Sequence, residues 1–162
     1  MSKGFWIFLA AGLAVVGGLI FTMLTATKGA HLRLEGKILK VRVLALPGNA
    51  ASIVVADFRV TNPSNVPFVV NSVTFQLQPA TGDAADGTTI SKSDVENIFR
   101  YEKLLGPKYN DTLSLQDQIG PHKTADLMAG ARFELPETAV NSRKLIKVRI
   151  EDVDGAAAEL TE

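Results

Sequence analysis

His31 and His122 are the only imidazoles in the 162 residues, and there is no cysteine. Zinc sites are assembled from several close His or Cys ligands, and these two histidines stand far apart in the chain. Disulfides and thiol chemistry are excluded outright. His122 belongs to a Gly-Pro turn and is expected to face solvent. The run Glu151-Asp152-Val153-Asp154-Gly155 has the acidic density of a calcium loop. An EF-hand, however, needs a longer ligand series closed by Glu, and Glu159 stands at the wrong position for that. Asp83 and Asp86 have the same status. No G-x-S-x-G elbow, P-loop or dinucleotide fingerprint is present. The carboxylates are dispersed along alternating positions, which reads as solvated sheet surface rather than a converging acid–base pair. The expectation is a protein that is not an enzyme and has no metal and no cofactor.

Charge narrows the partners. Seventeen basic residues balance seventeen acidic ones. Nucleic-acid binders usually carry a basic surplus, so no nucleic-acid partner is expected. The balance is uneven along the chain. Residues 28–60 hold six basic and two acidic residues, whereas residues 82–162 hold ten and fifteen. Hydrophobic residues make up 46% of the chain, too many for intrinsic disorder.

The elements that would position any site fall into two parts. From Gly4 to Thr27 there is no charged residue, and sixteen of the twenty-one residues from Gly4 to Leu24 are hydrophobic. As a helix this run would measure roughly 31 Å, the thickness of a bilayer's hydrocarbon core. A cleaved signal peptide has a shorter apolar run and a small-residue cleavage site, so an uncleaved, single-pass transmembrane helix is the expectation. Trp6 stands where indoles favour the headgroup level. Ala10, Ala14, Gly18 and Thr22 form one small-residue face, which permits close helix–helix packing; their abundance in membrane helices is the alternative explanation. Lys28, Arg33, Lys37, Lys40 and Arg42 follow as a basic collar suited to anionic headgroups. By the positive-inside rule this collar leans the following domain slightly toward the cytoplasm.

Residues 31–155 show the two-residue period of strands. The expected strands are 33–46, 54–61, 73–78, 113–119, 127–135 and 146–151. Turns fall at Pro47-Gly48-Asn49, Asn62-Pro63-Ser64-Asn65 and Gly120-Pro121-His122-Lys123. In the second strand Val54, Ala56, Phe58 and Val60 form one core face, and Val55, Asp57, Arg59 and Thr61 the outer one. Residues 79–89 read as a loop. One amphipathic helix is expected over about 91–105, capped by Ser91 and Asp94 and carrying Val95, Ile98, Phe99 and Leu105. It would cover a sheet or dock a partner. Residues 156–162 read as a polar tail. The fold class is therefore mainly β: an antiparallel Ig- or fibronectin-like β-sandwich with one inserted amphipathic helix.

The stretch from Asp57 to Phe75 resembles the core of the LEA-2 (late embryogenesis abundant group 2, or WHy) domain. Asn62, Pro63, Asn65 and Pro67 hold the places of that family's Asn-Pro-Asn and apolar-proline steps. Gly120-Pro121-His122-Lys123-Thr124 resembles its later turn. The resemblance covers roughly residues 35–150 and implies a sandwich fold. It also implies a membrane-anchored or exported role, as in many bacterial members, and hence a bacterial inner-membrane location.

Two functional expectations follow. One is a non-catalytic accessory subunit that stabilises a multi-subunit photosynthetic, respiratory or transport complex. It would pair with other transmembrane helices and with membrane lipids. The other is a LEA-2-like lipid-binding or stress-protective envelope protein.

Overall fold

The computed structural model describes residues 12–22 and 33–162. The chain divides into two compact units, Met1–Ala30 and His31–Glu162. In the first, residues 12–22 are helical (α1) with exposed side chains. Among the described residues no helix is long and apolar enough to cross a membrane. The rest of the uncharged run expected to span a bilayer lies outside them.

The second unit is built from β1 (Glu35–Ala45), β2 (Ser52–Thr61), β3 (Phe68–Gln78), β4 (Ala85–Thr89), α2 (Lys92–Tyr101), a 3₁₀ turn (Lys103–Leu105), β5 (Asp111–Thr112), β6 (Gln118–Ile119), β7 (Thr124–Phe133), α3 (Glu137–Asn141), β8 (Leu145–Asp152) and β9 (Ala157–Thr161). The strand order is β1-β2-β7-β4-β3-β8-β9. Strand β4 joins the two halves: Ala85–Gly87 pair with β3, while Thr88 and Thr89 pair with β7. Pairing is antiparallel except for β5, which runs parallel to β7.

The alternation in β2 is what closes the sandwich. Val54, Ala56, Phe58 and Val60 pack with Phe75 and Leu77 of β3 and Ile146, Val148 and Ile150 of β8. The other face of β2 is only partly solvated: Arg59 is exposed, but Ile53, Val55 and Asp57 are buried. Ile53 and Val55 pack with Met128 of β7 under Val95, Ile98 and Phe99 of α2. The helix thus takes the covering role. Its start follows the expected capping box: Ser91 Oγ accepts from the Asp94 N–H at 3.2 Å and donates to the Asp94 carboxylate at 2.7 Å. It stops at Tyr101, short of the expected 105, and the 3₁₀ turn carries Leu105 inward.

Gly130 of β7 makes the seat for α2. A Cβ there would lie 2.9 Å from Ile90 Cδ1 and 3.1 Å from Val95 Cγ2. Gly130→Val is expected to lower stability by about 1–3 kcal/mol through overpacking. Hydrogen exchange of the α2 amides should accelerate in step. Unchanged denaturant midpoint and α2 protection would show that the helix does not rest on this strand.

Four expectations are corrected. Residues 156–162 are no tail, because Ala157–Thr161 pair with β8 and bury Ala158 and Leu160. Residues 79–89 are not all loop, since they contain β4. The strand expected over 113–119 is instead two short strands flanking a turn, with Gln116 at φ +65° and Leu115 exposed. Finally, Asp57 and Asp152 are buried rather than solvated, and so is Arg42, which therefore leaves the basic collar.

Candidate interaction surface

Arg42 makes four side-chain hydrogen bonds from a buried position on β1. Its Nε and Nη2 donate to one Asp57 carboxylate oxygen at 3.0 and 2.6 Å. Its Nη1 donates to the carbonyls of Leu105 at 3.1 Å and Pro107 at 2.8 Å. The second Asp57 oxygen accepts from Asn110 Nδ2 at 2.8 Å. The guanidinium carbon lies 4.9 Å from the centre of the Phe99 ring and 5.7 Å from that of Tyr109, both within cation–π range. This buried ion pair ties the segment from Phe99 to Asn110 onto strands β1 and β2.

That tie fixes a surface. With Leu105 drawn inward, Tyr101, Leu104 and Tyr109 are left 73%, 90% and 72% exposed. Lys37 and Lys40 pair with Arg59 and Asp57 in register and so share the outer sheet face on which α2 lies. The helical stripe read from the sequence takes in Val95, Ile98, Phe99 and Leu105 of this segment and does not mark Tyr101, Leu104 or Tyr109. Their exposure depends on where the helix breaks, which the periodicity did not mark.

Of Asn62, Pro63, Asn65 and Pro67, Asn62 makes the contacts that join segments distant in the chain. Asn62 is fully buried. Its Nδ2 donates to the carbonyls of Val66 at 2.8 Å, Ile119 at 2.9 Å and Gly120 at 3.2 Å. Its Oδ1 accepts from the Ser64 N–H at 3.0 Å. One side chain therefore pins the β2–β3 turn to the turn before β7, the two segments on which the resemblance rests. Pro63 is half-buried and Pro67 exposed. Asn65 is exposed and meets His122 Nε2 at 2.9 Å.

The other expected site residues separate. Ala14, Gly18 and Thr22 lie on α1 at four-residue spacing, hence on one face. A Cβ on Gly18 would meet nothing within 4 Å. Ala10, Trp6 and Lys28 lie outside the described residues. Arg33, Lys37 and Lys40 are exposed.

Two further features shape the surface. A groove of about 550 Å³ opens where β4 leaves β3, lined in part by Val73, Ile90, Leu113, Leu115 and Ala129. On the outer face of β8 and β9, Glu159 pairs with Lys147 at 3.1 Å and lies 3.7 Å from Arg149. Arg59, hydrogen-bonded to Asp126 across β2 and β7, holds that carboxyl below the usual range. Among the described residues no group of three or more His, Asp or Glu side chains is placed to hold a metal.

These features define an antiparallel β-sandwich with one covering helix. Neither a protein-family model nor a curated protein sequence matches the chain. Solved structures give only distant likenesses. An uncharacterised β-sandwich protein from Clostridium difficile is 15% identical, with 80% of this chain and 85% of that one covered at a TM-score of 0.39. An ApaG protein from Pseudomonas aeruginosa is 11% identical, with 71% and 90% covered at 0.35. A flagellar-like filament structure is 10% identical, with 100% and 98% covered at 0.34. None of these scores carries a functional argument.

Proposed function

We propose that the protein is a non-catalytic, single-pass membrane-anchored interaction module. In this reading it is an accessory subunit that stabilises a multi-subunit membrane complex of a photosynthetic, respiratory or transport kind. The observation that carries the reading is the uncharged run from Gly4 to Thr27, set directly before a compact sandwich that begins at His31. A run of that length and composition suits a bilayer span. The short intervening segment would keep the domain at the membrane surface, in a bacterial inner membrane with a slight lean to the cytoplasmic side. Resistance to alkaline carbonate extraction tests the anchor. Purification in mild detergent, followed by identification of what travels with the protein, tests the subunit role.

Gly18→Leu separates a helix-packing role from a merely apolar one. The added side chain has open space within the chain itself. The variant is therefore expected to keep its membrane insertion and the melting temperature of its sandwich. It should lose its co-purifying partner, because a leucine prevents close helix approach. A variant that retains the same partners at wild-type yield would remove the packing face from the reading.

A second reading, a LEA-2-like lipid-binding or stress-protective envelope protein, draws on the groove lined by Val73, Leu113 and Leu115. Exposed apolar concavities of this kind suit acyl chains. Lipid extracted with the purified protein would favour this reading, and lipid-free protein would count against it.

A further inference from the structure

Two kinds of exposed group coincide on one side of the sandwich. Outside α1, the large hydrophobic side chains most open to solvent include Tyr101, Leu104 and Tyr109, all within nine positions of the chain. Seven basic side chains of the sandwich have a carboxylate partner among the described residues: Arg42, Arg59, Lys108, Arg132, Arg143, Lys147 and Arg149. Lys37, Lys40, Arg100 and Lys103 make no ion pair among the described residues. These unpaired cations lie on β1, at the end of α2 and in the 3₁₀ turn, and that turn packs against β1. The segment 100–110 has one carboxylate, Glu102, against Arg100, Lys103 and Lys108. Arg33, Lys92, Lys123 and Lys144 also make no ion pair among the described residues, whereas the outer faces of β8 and β9 carry interleaved Lys, Arg and Glu in mutual contact.

We propose that Tyr101, Leu104 and Tyr109, rimmed by Lys40, Arg100 and Lys103, form a surface that docks the sandwich onto an anionic lipid bilayer. The proposal rests on the membrane-anchored reading and deepens it by assigning the face that meets the lipid. Charge complementarity selects the occupant. A protein partner would need carboxylates placed against each cation, whereas an anionic bilayer neutralises unpaired cations wherever they fall. Tyrosine and leucine between such cations match the headgroup–acyl boundary, where an apolar ring body is buried and its hydroxyl stays wet. The Arg42 tie supplies the rigidity, holding the 3₁₀ turn so that Leu104 projects while Leu105 is buried.

The absence of cysteine permits a direct test on the full chain. Leu104→Cys, at a highly exposed position, is labelled with an environment-sensitive fluorophore; Asp83→Cys, in the exposed loop after β3, serves as the control site. Both are reconstituted into vesicles of phosphatidylcholine alone or mixed equally with phosphatidylglycerol. The label at 104 is expected to shift to the blue and be quenched by brominated lipid in the anionic vesicles only, while the label at 83 stays in water. Replacing Lys40, Arg100 and Lys103 by Gln should abolish most of that shift. Each cation contributes roughly fivefold to the affinity for an anionic surface, so high salt should reverse the shift as well. A carbonate-resistant chain whose label at 104 stays water-exposed in both vesicles would overturn the docking surface while leaving the anchor intact. A label shielded in native membranes but not in anionic vesicles would overturn it in favour of a protein partner. Should carbonate extract the chain, the anchor fails. Sedimentation of the extracted chain with the anionic vesicles then decides the surface by itself: co-sedimentation supports it and none overturns it.

Discussion

Arg42→Ala should destabilise the sandwich by about 3–5 kcal/mol, because it strands a buried carboxylate without its counter-charge. Asp57 is 3% exposed and would keep only the Asn110 hydrogen bond. The carbonyls of Leu105 and Pro107 would lose a charged donor at the same time. For a domain of this size the cost corresponds to roughly 10–20 °C in Tm. The loss should be uneven within the fold. Amides of the segment 99–110, which the guanidinium ties down, should lose hydrogen-exchange protection before those of the β2–β7 core. Asp57→Ala should cost a similar amount. The double variant Arg42→Met with Asp57→Leu should cost much less than the two single losses together, since it leaves no unpaired charge. Denaturant unfolding of the four proteins closes the cycle. An Arg42→Ala cost below about 1 kcal/mol, the level of a surface pair, would show that the pair is solvated.

Asn62→Ala should cost on the order of 3 kcal/mol, because one truncation removes the donor serving three carbonyls and the acceptor of the Ser64 N–H. Asn62→Asp should be worse than alanine, since a carboxylate would face the carbonyls of Val66, Ile119 and Gly120 and have no N–H to offer them. Asn65→Ala, three residues on, should stay within about 0.5 kcal/mol, as an exposed position whose side-chain bond is to the exposed His122. The pattern Asp worst, then Ala, with Asn65→Ala neutral would mark Asn62 as a tether between turns. Equal effects at 62 and 65 would mean that the motif acts through general turn propensity instead. Thermal melts and denaturant titrations of the three variants read this out.

The division between sequence and tertiary structure follows from the range over which each signal acts. Alternation in Val54–Val60 and Ile146–Ile150 is a local consequence of side chains pointing to opposite faces of a strand. It therefore marked the core strands and the β-sandwich class without any knowledge of neighbours. The Ser91/Asp94 capping box is equally local, and it placed the start of α2 correctly. Asn62 was readable as a turn residue for the same reason. Its reach to Ile119 and Gly120 was not, because those acceptors come from 57 and 58 positions away.

The misreadings share a cause. Asp57 looked solvated because its strand alternates, yet a helix from elsewhere in the chain covers that face and Arg42 neutralises the charge. Ala157–Thr161 looked like a tail because five residues carry too little apolar surface to form a core alone; the edge of β8 supplies the pairing they need. Tyr101, Leu104 and Tyr109 became a surface only because the Arg42 hydrogen bonds hold the chain after α2 in one course. The sequence by itself determined the uncharged amino-terminal run, the strand periods and the helix cap, all written in neighbouring residues. Tertiary structure alone decided which charges are buried, which edges are paired and which aromatics remain exposed, because burial depends on segments that meet only after folding.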